Sequence, residues 1–292
     1  MSKIRKKIKT TSKGRGKALK KKKAAARPKA AFKSRAKAKG RVMKKSKSAG
    51  KVRVKGKAGA AVKKKITFEI DGKKCTGKAG QTIVEAARDN GIYIPVLCWY
   101  EGLIPAGICR MCTVKVAGRN MAACTTPVTD GMIVENVIPE LENMRKALVE
   151  MLFVEGNHMC PTCEKSGNCE LQALGYRYQM LVPRFPYQFP LREMDATYSK
   201  IMIDGNRCVQ CRRCVRGITT KDGRHIFAMT NRTGKSTIIA DPELEAKMTD
   251  EMAQKAMDQC PVGAILKKEI GFAVPIGKRK FDKAPIGSDI HK

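Results

Sequence analysis

Histidine, tryptophan and long apolar stretches are all scarce in this 292-residue chain, which has three His, one Trp and 5% aromatic residues. No apolar run approaches the ~20 residues that span a bilayer, and no apolar segment follows the basic start as a secretory signal would require. No Gly-x-Gly-x-x-Gly follows a predicted strand, so a dinucleotide site is not expected. Gly234-Lys235-Ser236-Thr237 resembles the end of a phosphate loop, but the position that needs its first glycine is Met229. His225 and His291 have no nucleophile or carboxylate beside them in any motif and are expected to face solvent. Acidic residues are also missing from residues 1–65, which contain 29 Lys and Arg.

The other 31 basic residues face all 26 acidic ones, so residues 66–292 carry only +5 of the total +34. The chain is an ordinary body with a polycationic tail. Residues 1–65 are Lys/Ala/Gly/Ser-rich with little to bury, and such a segment cannot offset its ordering entropy. A disordered, solvated tail is the expectation, with contact to nucleic acid or another polyanion as a second reading. A transit peptide is disfavoured by the excess of Lys over Arg and the scarcity of Ser.

Order is predicted to begin near Ile66. Ile66, Phe68 and Ile70 alternate with polar residues, and Asp71-Gly72 signals a hairpin to a second strand over Lys74 to Thr76. A helix is predicted from Thr82 to Asp89, stopped by Asn90-Gly91. A loop rich in Cys and Gly follows, then a hairpin of Met111 to Val116 and Asn120 to Cys124. A second helix should start at Pro139, burying Leu141, Met144, Leu148, Met151 and Leu152. Beyond Gly156 periodicity weakens until a helix from Asp250 to Asp258, capped by Thr249. A region dense in Cys, Gly and Pro folds around something other than an apolar core, and a bound metal centre would supply the missing stability. The aromatic stretch Arg184 to Pro190 (RFPYQFP) is expected to be extended and packed.

Twelve cysteines could mark a secreted disulfide scaffold, but they fall into close Cys-x2-Cys pairs, which is metal-ligand spacing. A reducing cytoplasm suits thiolate ligands. The first set is Cys98, Cys109, Cys112 and Cys124, the plant-type 2Fe–2S pattern with a longer first gap. Gly107 in GLIPAGICRMC lets backbone approach the cluster. A structural zinc site would use the same thiolates; the surrounding strand and helix order favours 2Fe–2S. The second set is His158, Cys160, Cys163 and Cys169 (HMCPTCEKSGNC), one cysteine short of a tetrad, with His158 as the expected fourth ligand to a 4Fe–4S cluster. Imidazole in place of a thiolate makes the cluster less anionic and raises its potential. The third set is Cys208, Cys211 and Cys214 (RCVQCRRC), completed by Cys260 of CPVGAI to hold a second 4Fe–4S cluster. Pro261 keeps Cys260 out of the helical region. Cys75 is left over and is expected to be a small, half-buried hydrophobe. No further cysteine set remains for a hydrogen-activating metal site.

These motifs together resemble the iron–sulfur (gamma) subunit of the diaphorase module of NAD-reducing soluble nickel–iron hydrogenases, related to the N-terminal part of the large iron–sulfur subunit of respiratory complex I. The resemblance covers residues 66–280. The segment RKALVEMLFVEGNHMCPTCEKSGNCELQALGY is especially close, including the His-x-Cys spacing, where complex I relatives place three residues. The basic tail is a departure from that family. The resemblance implies an α+β chain: a β-grasp 2Fe–2S ferredoxin domain at 66–138, then an α-rich, cluster-stabilised domain with 4Fe–4S regions at 139–200 and 201–292. It implies FMN and NAD on a partner diaphorase subunit, and hydrogenase small and large subunits as further partners. The same pattern would serve an NAD-dependent formate dehydrogenase, a bifurcating hydrogenase or a complex I-like NADH dehydrogenase. A zinc-stabilised nucleic-acid-binding protein is the reading from another class, suggested by the tail.

Overall fold

The computed structural model describes residues 65–232 and 236–290. The basic tail apart from Lys65, Gly234-Lys235 of the phosphate-loop look-alike, and His291 lie outside the described residues. Strands β1 (Lys65–Ile70) and β2 (Lys73–Lys78) pair antiparallel through Asp71 and Gly72, whose φ values of 49° and 79° give the turn that matches strand twist. Helix α1 (Ile83–Asp89) starts at Thr82 in a capping box: Thr82 accepts from the Glu85 amide, and Glu85 accepts from the Thr82 amide. Strands β3 (Thr113–Val116) and β4 (Arg119–Ala122) form the second hairpin, shorter than expected because Cys112 and Cys124 leave the ladder at its end.

One strand was not foreseen. β5 (Ile133–Glu135) inserts between β1, to which it is parallel, and β3, to which it is antiparallel, giving the sheet order β2-β1-β5-β3-β4. Only Val134 of its three residues is buried, too little for a period-2 signal. The sheet and α1 enclose one core, built on Phe68, Ile70, Ile83, Ala86, Val114 and Val134. Cys75 belongs to that core and is fully buried rather than half-buried, its thiol donating to the Lys73 carbonyl at 3.3 Å.

Helix α2 (Pro139–Val154) begins where expected, and its inward face is the expected one shifted toward Arg145, Val149 and Glu150. Leu141 is buried and Leu148 and Leu152 are partly so, yet Met151 is 37% exposed, while Arg145 and Glu150 are fully buried. Arg145 explains the rotation. Its guanidinium donates to the carbonyls of Asn136 (2.9 Å) and Thr113 (2.8 Å) and pairs with Glu142 (2.7 Å), tying the helix to the sheet beside Cys112. A charge satisfied in this way can be buried, although a hydropathy pattern assigns it to solvent.

The remaining elements are short: α3 (Glu170–Arg177), β6 (Met194–Asp195), β7 (Ile201–Asp204), α4 (Arg213–Gly217), β8 (Phe227–Thr230), β9 (Thr237–Ala240), α5 (Pro242–Glu245), α6 (Asp250–Gln259) and β10 (Ile265–Lys267). They form a sheet of order β10-β7-β6 and a β8-β9 hairpin around a second core, with Leu171, Leu174, Ile201, Phe227, Ala253 and Ile265 among its buried residues. Thr249 caps α6 as expected, accepting from the Met252 amide. The stretch 184–190 is irregular, bent at 184–185 with Phe189 at φ 43°, and its rings are not packed inward: Phe185, Tyr187 and Phe189 are 37%, 46% and 71% exposed, and Tyr187 stacks on Phe189 instead. His225 is exposed, as expected.

Candidate iron–sulfur sites

The first set gathers at one end of the five-stranded sheet. Cys98 comes from the loop after α1, Cys109 and Cys112 flank the turn into β3, and Cys124 follows β4. Cys98, Cys112 and Cys124 are buried. Their sulfurs lie within mutual hydrogen-bonding reach: the thiols of Cys109 and Cys124, with the Cys109 and Ile108 amides, hold the Cys98 sulfur far below the usual thiol range. Cys112 is lowered by the Cys124 thiol, and Cys124 is raised in return. The Cys109 amide points at Cys98 Sγ at 3.5 Å. Gly107 has φ +62°, and a Cβ there would stand 3.3 Å from Thr125, so glycine suits this turn for both conformation and space.

The second set surrounds a pocket lined by His158, Cys160, Cys163 and Cys169 together with Arg207 and Gly263. A 3-10 turn over Cys160–Thr162 brings Cys160 and Cys163 to one side. Cys169 caps α3, its Sγ accepting from the Gln172 amide at 3.4 Å, so the thiolate would sit on the positive end of a helix dipole. Burial pushes the Cys169 thiol up to about 12 and raises Cys160 and Cys163 as well. Burial lowers His158 to about 4, which keeps the imidazole neutral, the form that ligates. His158 Nε2 lies 3.2 Å from the Leu152 carbonyl; with the ring N–H donated there, Nδ1 keeps the lone pair. Gly263 roofs the pocket so closely that a Cβ would meet Cys163 Sγ at 2.5 Å.

The third set is built from three short pieces. A 3-10 turn over Gly205–Arg207 leads into Cys208, whose Sγ accepts from the Gln210 amide at 3.4 Å. Gln210 and Arg212 take positive φ (53° and 57°), which bends the loop so that Cys211 lies before α4 and Cys214 within it. Cys260 ends α6 in an extended conformation (φ −69°, ψ 120°) ahead of Pro261. Cys260 lies within electrostatic reach of Cys208, Cys211 and Cys214 alike, so the four converge. Burial pushes Cys208 up to about 11 and Cys211 up to about 12.

Among the described residues, no group of three or more His, Cys, Asp or Glu side chains closes on a single-ion position. The donor sets nevertheless suit clusters: four sulfurs in the first and third, three sulfurs and a neutral imidazole in the second. Buried thiols that are costly to ionise alone become ligands when iron compensates the charge.

Sequence reasoning missed the arginines that tie the sets together. Arg216 donates to the carbonyls of Cys98 and Cys211, joining the first set to the third. Arg213 forms a fork with Glu170, the residue after Cys169. Arg207 pairs with Asp204 and Glu164 beside the second pocket. The run Arg212-Arg213 within RCVQCRRC was visible, but basic residues in a loop give no sign of which carbonyls they will reach.

Three family profiles match in sequence. They are a 2Fe-2S iron-sulfur cluster binding domain over residues 63–138, the NADH-ubiquinone oxidoreductase-G iron-sulfur binding region over 145–184, and the ferredoxin-like domain of NADH-quinone oxidoreductase subunit 3 over 199–266. The chain is 50% identical over 218 residues to the NAD-reducing hydrogenase HoxS subunit gamma of Cupriavidus necator, covering 74% of this chain and 93% of that one. It is 32% identical to the mitochondrial NADH-ubiquinone oxidoreductase 78 kDa subunit of Candida albicans over 71% of this chain but 29% of that protein. In structure it resembles a chain of a crystallised NAD+-reducing [NiFe]-hydrogenase in the H2-reduced state, with TM-score 0.70 and 39% identity over 75% of this chain and 94% of the other.

Proposed function

Since the chain belongs to the family of the gamma subunits of NAD-reducing hydrogenases, we propose that it is the relay of such an enzyme, holding three clusters on the twelve residues predicted above. It is an electron-transfer subunit of an oxidoreductase complex with 2Fe–2S and 4Fe–4S domains. In this reading Cys98, Cys109, Cys112 and Cys124 hold 2Fe–2S within 66–138. His158, Cys160, Cys163 and Cys169 hold one 4Fe–4S within 139–200, and Cys208, Cys211, Cys214 and Cys260 hold the other within 201–292. Bound there, the clusters would carry single electrons between a flavin- and NAD-binding diaphorase partner and a nickel–iron hydrogenase module in the cytoplasm. No helix among the described residues is long and apolar enough to cross a membrane.

One observation carries the reading furthest: the third set touches both others. Arg216 reaches from α4 to the Cys98 carbonyl at 2.6 Å, and the Glu170 amide beside Cys169 donates to the Pro261 carbonyl at 2.8 Å. This supports a relay running first set, third set, second set, which differs from chain order and puts the 2Fe–2S site at one end of the line rather than beside it. The protein's own contribution is to bury the thiols, aim amides at their sulfurs and exclude water between the sites.

Anaerobic purification tests this directly. A brown protein with roughly ten iron and ten sulfide per chain is expected from one 2Fe–2S and two 4Fe–4S clusters, with nickel and flavin in the complex that purifies with it. Molybdenum or tungsten in that complex would move the partner to a formate dehydrogenase. A colourless protein with stoichiometric zinc would overturn the relay itself.

A further inference from the structure

We propose that the Arg213–Glu170 ion pair, buried at its arginine end and half-buried at its carboxylate, is an electrostatic positioning pair that levels the two 4Fe–4S potentials, raising the third set's cluster and lowering the second's. The proposal rests on the ligand assignment above. Arg213 stands between Cys211 and Cys214 and is 1% exposed; Glu170 directly follows Cys169. The guanidinium meets the carboxylate as a fork, Nη1 to Oε1 at 2.7 Å and Nη2 to Oε2 at 2.6 Å. Both ends are pinned. Arg213 also donates to the Gln259 backbone carbonyl (3.3 Å), its own carbonyl accepts from Gln259 Nε2 (2.5 Å), and its guanidinium lies 5.2 Å over the Tyr100 ring. Glu170 is held by its amide on Pro261.

The positive end of the pair is therefore fixed in the third set's loop, and the negative end is carried by the residue that follows Cys169 of the second set. A buried ion pair is a poor source of stability, because desolvation consumes most of the attraction. A field is a better account of its place. Positive charge near a cluster favours the reduced, more anionic state and raises the potential; negative charge does the reverse. Arg213 Nε is buried without a hydrogen-bond partner among the described residues, a cost that a neighbouring anionic cluster offsets. At the second set, His158 in place of a thiolate raises the potential, and Glu170 opposes that rise. The two potentials are drawn together, and an electron can cross in either direction without a large step.

The test is a redox titration of both 4Fe–4S clusters, followed by electron paramagnetic resonance in the whole complex, on wild type, Glu170→Gln and Arg213→Gln/Glu170→Gln. Glu170→Gln should raise the second cluster more than the third. The double variant should raise the second and lower the third. Their sharing of one electron then shifts on the order of tenfold, 59 mV, toward the second. Shifts of both clusters in the same direction in the double variant, or a lower melting temperature with unmoved potentials, would overturn the proposal and leave the pair a structural tie. If the double variant does not assemble, Glu170→Gln decides alone, and equal or absent shifts refute it. Absence of the two 4Fe–4S signals in the wild type would fail the ligand assignment instead, before any variant is compared.

Discussion

Arg216 donates to the carbonyl of Cys98 at 2.6 Å, across 118 residues of sequence, and to the carbonyl of Ile104 at 2.5 Å. The loop that presents the first cysteine set is thus held by a residue of the third. A Cβ on neighbouring Gly217 would come 2.7 Å from Leu103 of the same loop, so the two surfaces meet without spare room.

Arg216→Met should loosen that loop. Hydrogen bonds from a charged donor are each worth about 1.5–3 kcal/mol, so global stability should fall by about 2 kcal/mol in chemical denaturation. The 2Fe–2S absorbance should bleach faster in air while the 4Fe–4S signals persist. Equal loss of all three signals would show that Arg216 supports the fold at large.

Gly263→Ala places a methyl 2.5 Å from Cys163 Sγ. The second cluster should be lost and iron should drop from roughly ten to roughly six per chain, with the 2Fe–2S signal unchanged. Full iron content would mean that the roof of the pocket yields, contrary to its close approach.

His158→Cys keeps four ligands and adds a negative charge to the second cluster. Its midpoint potential should fall. An unchanged midpoint would place His158 outside the coordination sphere.

The carboxylate of Asp282 accepts from the amides of Gly277 and Arg279 and from the Arg279 guanidinium, which holds it down at about 2. A group lowered in this way gives its stabilisation above the ordinary carboxylate range and loses it as pH falls through about 2. The C-terminal segment it braces docks on the second set, with the Phe281 amide on the Gly167 carbonyl and Arg279 on that of Ser166. Asp282→Asn at neutral pH should expose residues near 277–282 to limited proteolysis several-fold faster than wild type. Unchanged cleavage would show that the docking stands without this brace.

The ferredoxin half was legible because its rules are local. Ile66, Phe68 and Ile70 alternate, Asp71-Gly72 specifies its turn, and Thr82 with Glu85 caps α1. β5 was not legible, since three residues held between two strands owe their conformation to neighbours distant in sequence. The inward face of α2 was misjudged for a related reason: Arg145 is buried by the carbonyls of Asn136 and Thr113, which no period along the helix encodes. The cysteine sets are proposed from spacing, and Cys260 is joined to Cys208 because the chain has one Cys-x2-Cys-x2-Cys triplet. The contacts between sets run through Arg213 and Arg216, and side chains that bridge remote loops leave no local signature. The exposed rings of Phe185, Tyr187 and Phe189 were misread because aromatic content implies burial only on average.

The turn from Cys260 to Gly263 carries the fourth cysteine of the third set and roofs the pocket of the second. During synthesis, an emerging chain that has not passed Gly263 carries all four proposed ligands of the second set without their roof, and three of the four proposed for the third. On the proposed ligand assignment, closing the third site and roofing the second therefore wait for the same few residues.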